Sequence, residues 1–225
     1  MNTQNRILVF DTATQERLTA YIRRLFAQED DLLSEVHRRT NELGLPEIHI
    51  RPEEGKILQF LAMLIGARTV VELGTLAGYS TIWLARSLPE GGRLITLEAE
   101  PRHAQIAREH FERAGLSDRI ELIEGNAVAT LQNLRARGPF DMVFIDADKQ
   151  RYPDYLSWSV ANVRPGGLIV GHNAFRQGRL VAPEAEWDDA TIATHSMLAA
   201  MSQDERLFST IIPVGDGFAV AQVRG

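Results

Sequence analysis

Polar side chains stand where several apolar runs stop. Glu72 lies near the end of TVVEL, with Gly74 just beyond it, and Glu98 closes RLITLE. Asp146, Asp148 and Lys149 follow MVFI, and His172 and Asn173 follow GLIVG. Each type has its own chemistry. A carboxylate accepts hydroxyl hydrogens or binds a cation, an amine beside it can hold or move a proton, and an imidazole can titrate near neutrality or ligate a metal. GLIVGHNAF (167–175) raises the sharpest question, because a buried strand rarely ends in His-Asn unless something there needs both.

These residues need elements to place them. Residues 15–28 and 29–43 read as two helices, with Leu18, Ile22, Leu25 and Phe26 at helical spacing in the first and Leu32, Leu33, Val36 and Leu43 in the second. Gly44 and Pro46 stop the second, and the connector PEIHIRPEEG leads to a helix over 53–66. Strands then alternate with helices: TVVEL, RLITLE, RIELIEG, FDMVFIDA and GGLIVG, followed by a polar loop and a helix near 190–202. That alternation predicts an α/β fold, a parallel sheet with helices on both faces. LFSTIIPV and GFAVAQVR, joined through Val-Gly-Asp-Gly, predict an antiparallel C-terminal hairpin. In such a sheet ligands bind outside the carboxyl ends of the strands, where the polar residues above fall.

Composition narrows the field. The chain has 225 residues, 44% hydrophobic and 24% charged, as expected of one globular domain spanning 1–225. Its net charge of −6 argues against a nucleic-acid partner. Cysteine is absent, which removes thiolate chemistry and is compatible with the cytoplasm. No apolar run approaches a membrane span, and MNTQNRILVFDTATQERL lacks the pattern of a secretory signal.

The turn Glu72-Leu-Gly74-Thr-Leu-Ala-Gly78-Tyr-Ser80 lets backbone approach a ligand. No Gly-Lys-Ser/Thr follows, so the Walker pattern fails. Leu76 stands where a dinucleotide fold needs its second glycine, which makes room for a pyrophosphate. Glu98 follows at the end of the second strand, placed for ribose hydroxyls. Together these suggest an adenosine-type ligand without a diphosphate, and S-adenosylmethionine fits. The plainer alternative is a tight turn beside a surface acid.

VVELGTLAGYST, ITLEAEP, GNA (125–127), FDMVFIDADKQRY and RPGGLIV resemble the cation-dependent O-methyltransferases, the family of the catechol and caffeoyl-coenzyme A enzymes, from about residue 18 to the C-terminus. The resemblance implies a Rossmann-like seven-stranded sheet with its last strand reversed. It implies Glu72, Gly74, Gly78, Ser80, Glu98, Ala127 and Asp146 at the S-adenosylmethionine site, and Lys149 as base if its pKa is lowered. It also implies a hydroxylated, aromatic small-molecule substrate, a homodimer, and an N-terminal segment (1–50) serving as lid or dimer surface over a core at 51–225. Two rival readings remain open: a cofactor-binding protein without methyl transfer, and a nucleotide-dependent oxidoreductase.

One position departs from the family. Its members carry Asp-Asn as metal ligands where this chain has His172-Asn173. Imidazole disfavours magnesium and suits softer ions. Three readings stay open: a softer metal on Asp146, His172 and Asn173; no metal, with His172 as a catalytic base; or a repurposed site in which His172 only caps the strand.

Other residues have plainer expectations. His37, His103 and His110 read as solvated helix faces, His195 as structural and Trp158 as core. His49 sits in the connector, open to a pocket role. Phe175 and Trp187 either wall a substrate or anchor the loop, and Arg176 and Arg179 either meet an acidic substrate group or face solvent.

Overall fold

A computed structural model describes residues 11–225. The first ten, part of the stretch read as lacking a secretory signal and of the 1–50 segment, lie outside the described residues.

Three helices come first: α1 (Thr12–Phe26), α2 (Asp31–Glu42) and α3 (Pro52–Leu64). Asp11 and Asp30 cap the first two through the backbone N–H groups of Thr14 and Leu33. These caps start the first helix earlier, and the second later, than apolar spacing alone suggests. The alternating region follows as β1 (Thr69–Leu73), α4 (Tyr79–Ala85), β2 (Arg93–Glu98), α5 (Pro101–Arg113), β3 (Ile120–Glu124), α6 (Ala127–Leu134), β4 (Phe140–Ile145), α7 (Tyr152–Asn162) and β5 (Val163–Gly171). The chain ends with α8 (Asp189–Gln203), β6 (Leu207–Ile212) and β7 (Phe218–Val223).

The sheet has seven strands in the order β3-β2-β1-β4-β5-β7-β6. β1 to β5 pair in parallel, and β7 runs antiparallel to both β5 and β6, as the C-terminal hairpin predicts. Consecutive strand residues point to opposite faces. Val70, Met142, Phe144 and Leu168 pack with Leu33, Leu58, Ile82 and Phe111 on one side. Val71, Val143, Ile145 and Ile169 pack with Leu131, Leu156 and Met197 on the other. Burial on both faces explains why these strands read as unbroken apolar runs. Among the described residues no helix is long and apolar enough to cross a membrane.

The order reverses between β1 and β4, opening a crevice at their carboxyl ends. There the ladder runs one residue beyond each strand. Gly74 N donates to Leu97 O (3.0 Å), Asp146 N to Leu73 O (2.9 Å) and His172 N to Ile145 O (3.0 Å). Backbone register, rather than loop packing, therefore sets Gly74, Asp146 and His172 side by side.

Candidate active site

A cavity of about 1100 Å³ opens over this row. Gly74, Ser80, Glu98, Ala127, Asp146, Lys149, His172 and Asn173 line it. Glu72 and Gly78 stand behind the wall rather than on it. Gly78 abuts the Phe111 ring. Glu72 is wholly buried and accepts three hydroxyls, Ser80 Oγ (2.6 Å), Thr81 Oγ1 (2.5 Å) and Thr96 Oγ1 (2.7 Å). Burial raises its pKa to about 7 against those hydroxyls, with Asp146 adding to the rise.

The first turn is shaped by close approach. Gly74 has φ +95°, and a Cβ there would lie 2.4 Å from Asp146 O. Leu76 takes φ +50°, a left-handed conformation unfavourable for leucine. Glu98 holds it there: its Oε2 accepts the backbone N–H of Thr75 (3.1 Å) and of Leu76 (2.8 Å). Its Oε1 accepts from Glu100 N (3.0 Å).

Asp146 is the centre of the polar row. Its Oδ1 accepts from Lys149 Nζ (2.7 Å), and its Oδ2 lies 3.1 Å from His172 Nδ1. Burial would raise Asp146, but the charges of Lys149 and His172 outweigh it and hold the carboxyl at about 2. Burial likewise opposes charge on Lys149, yet Asp146 drives its pKa above the ordinary lysine value. The lowered pKa that a lysine base requires is therefore not supplied by the protein groups around it.

His172 is buried, with Nε2 2.9 Å from Glu54 Oε1. Burial lowers its pKa, but Asp146 and Glu54 together raise it to about 9. That places the ring on the protonated side of neutrality, away from the value suited to a base. The protonated ring thus lies between two carboxylates, with Nδ1 in ion-pair range of Asp146 Oδ2 at 3.1 Å. Asn173, at φ +55°, donates its NH2 to Asp216 Oδ2 (3.1 Å).

Glu54, Asp216 and Tyr152 escaped sequence reasoning. Glu54 belongs to the first turn of α3 and accepts Arg51 N at 2.7 Å through its second oxygen. A Cβ on Gly215 would lie 2.0 Å from Glu54 Oε1, so the β6–β7 turn closes tightly over the carboxylate. Tyr152 OH donates to His172 O (3.1 Å) and Ile145 O (3.3 Å), tying the ends of β4 and β5. The acid of the Pro-Glu-Glu helix start was a detectable signal; its pairing with a residue 118 positions away was not.

Three histidines differ from the solvated faces expected. His110 is fully buried, its Nδ1 2.8 Å from Ala77 O, because α5 turns that face under the first loop. His37 packs on Tyr79 and His49 and lies 3.0 Å from Glu29, while His103 lines the cavity 3.6 Å from Glu98. His49 is on the cavity wall, and burial with the adjacent His37 lowers its pKa to about 4. Trp158 is core. Phe175 packs over Gly217 and Trp187 Nε1 donates to Ala182 O (3.1 Å), so both anchor the loop. Arg176 lines the cavity, whereas Arg179 faces solvent and pairs with Asp188.

The sheet order and the cavity at its switch point define a doubly wound α/β protein with a ligand-sized cleft outside the carboxyl ends of its strands. Comparison with known proteins specifies the class. Residues 24–224 match the O-methyltransferase family. A catechol O-methyltransferase of Niastella koreensis is 43% identical over 93% of this chain and 97% of its own. One from Mycobacterium tuberculosis is 42% identical over 91% and 94%. The structure of an O-methyltransferase from Bacillus cereus in complex with SAH superposes with a TM-score of 0.87 at 39% identity, covering 92% of this chain and 97% of that one. The chain belongs to the O-methyltransferase family.

Proposed function

We propose that this chain transfers a methyl group from S-adenosylmethionine to a hydroxyl of a small, catechol-like aromatic. The observation that carries this reading is convergence. The glycine turn, Glu98 and the Lys149–Asp146–His172 row open into one cavity. Relatives bearing the catechol name, and a neighbour solved with SAH, support it.

The residues fit the cofactor. Gly74 lets the first turn sit directly against the backbone of Asp146 at the cavity wall, and Glu98 has acceptor capacity for ribose hydroxyls there. S-adenosylmethionine supplies an electrophilic methyl whose C–S bond breaks as the O–C bond forms, leaving a neutral thioether. The chain must present an ionised, aligned oxygen to that methyl. Lys149 has one donor left beyond Asp146 and Ala147 O, and its charge favours the phenolate over the phenol. The hydroxyl proton leaves to solvent through the open mouth. Asp146, His172 and Asn173 are the residues that would hold a metal, which would further lower the hydroxyl pKa.

The same reading places the protein in the cytoplasm as a homodimer. α1 buries none of its own residues, and Tyr21 and Phe26 on it and Phe60, Met63 and Leu64 on the neighbouring α3 are exposed apolar side chains that a second copy would cover. The N-terminal segment then serves as both lid and dimer surface over the α/β core of one domain.

Calorimetry tests the cofactor assignment. SAH and S-adenosylmethionine bind with one site per chain, and NAD does not. A folded sample that binds NAD but neither sulfur compound overturns the reading.

A further inference from the structure

Arg176 is a cation in the cavity wall whose charge the protein leaves poorly matched. Its side chain is only 16% exposed, against 54% for Arg179 on the same loop. Its Nε is buried with no hydrogen-bond partner among the described residues. The one carboxylate paired with it among those residues is Asp188, 3.6 Å from a terminal nitrogen and too far for a hydrogen bond. That carboxylate is already engaged. Its Oδ2 pairs with Arg179 at 2.7 Å, and its Oδ1 accepts Thr191 N (2.7 Å) and Thr191 Oγ1 (2.6 Å) at the start of α8. A guanidinium does not shed its proton on burial, so only a partner offsets its desolvation.

The loop holds Arg176 in this position. Arg176 and Gln177 both take left-handed backbone, at φ +49° and +54°, which non-glycine residues rarely adopt. Arg176 N donates to Asn173 O (3.1 Å), Gln177 N to Asp216 Oδ1 (2.7 Å) and Phe175 N to Asp216 O (2.9 Å). The loop is thereby fastened to the β6–β7 turn beside the polar row. Arg176 also stands at the Lys149 end of the cavity. Burial raises the pKa of Tyr152, and the charges of Lys149 and Arg176 both oppose the rise. The two cations differ in one respect. Lys149 is matched by Asp146 at 2.7 Å, while Arg176 lines the cavity without a hydrogen-bonded anion.

We propose that Arg176 binds a carboxylate on the substrate, so that the methyl acceptor is an aromatic acid bearing adjacent hydroxyls rather than a neutral phenol. A guanidinium presents parallel N–H groups that match the two oxygens of a carboxylate. One poorly matched cation suits a singly charged group. The carboxylates of Asp188 and Asp216, held by the same loop, oppose the second charge of a phosphate ester. The proposal deepens the methyltransferase reading by naming the substrate class, and it rests on that reading for turnover alone. Binding is measured without turnover.

The probes are the ortho-dihydroxy forms of benzoate, phenylacetate and cinnamate, each set beside its primary amide, which has the same shape and no charge. The full-length protein saturated with SAH is titrated with every probe by calorimetry, and kcat/KM is measured with S-adenosylmethionine. Wild type prefers at least one acid to its amide by about 10- to 100-fold, as a charge-assisted bidentate pair supplies. Arg176→Gln and Arg176→Met each abolish that preference. SAH affinity, measured on the same samples, shows that a variant is folded, and should one fail to fold the other decides the matter. Wild type treating every acid and its amide alike, or a preference that survives either folded substitution, overturns the proposal. The two questions separate cleanly. Labelled product from catechol with no acid preference removes the Arg176 assignment and leaves the methyltransferase, whereas acid preference in binding without methyl transfer to any probe does the reverse.

Discussion

Glu72→Gln probes the least expected environment in the molecule. Glu72 is wholly buried under the first loop, with Ser80, Thr81 and Thr96 as its hydroxyl partners. Burial lifts its pKa from 4.5 to about 7, while Asp146 next to it stays ionised down to about 2. An acid with a raised folded pKa contributes stability that is complete below its unfolded value and is lost as pH rises through the folded value. The window therefore runs from about pH 4.5 to about pH 7, and the loss across it is about 3 kcal/mol. Glutamine has the same shape and does not titrate, and the three hydroxyls can rotate to meet its NH2. Urea unfolding of both proteins at a series of pH values gives the difference directly, since every other titrating group cancels. The variant gains about 3 kcal/mol relative to wild type between pH 4.5 and pH 8. A difference that stays flat across that window refutes the argument that burial dominates at Glu72.

Three further substitutions test the site. Gly74→Ala forces a Cβ to 2.4 Å from Asp146 O at φ +95°, so the β1–β4 seam opens and SAH affinity drops at least about tenfold by calorimetry; unchanged affinity in a folded variant contradicts this. Lys149→Met removes the cation nearest the reacting oxygen while leaving the cofactor wall intact. It lowers kcat about 100- to 1000-fold with SAH affinity within a few-fold, and an equal loss of both would show a general collapse of the site. Tyr152→Phe deletes the hydroxyl that donates to His172 O and Ile145 O, lowering stability by about 1 kcal/mol in denaturant unfolding; a neutral result would show that those carbonyls are satisfied without it.

The sheet was legible because burial on both faces leaves its mark as unbroken apolar runs such as MVFI and GLIV, and because Asp216-Gly217 marks the C-terminal turn. Helix starts were less legible: Asp11 and Asp30 set them by capping, which apolar spacing does not record. Strand ends gave the site its row, since Gly74, Asp146 and His172 are aligned by the ladder itself. What stayed hidden lay across long sequence separations. Glu54 meets His172 only because α3 packs over the end of β5, and Asp216 meets Asn173 only because the β6–β7 turn folds back on the same edge. His110 misled for a related reason, as a charged helix still turns one face inward. Glu72 looked like a wall residue from its position, and the three hydroxyls that draw it beneath the turn come from α4 and β2.

The central claim is methyl transfer to a hydroxyl. Purified protein is incubated with methyl-labelled S-adenosylmethionine and catechol, and the products are separated and identified by mass spectrometry. The account predicts catechol carrying one labelled methyl on oxygen, formed in step with SAH. SAH binding with no labelled product from catechol or any related phenol would contradict it.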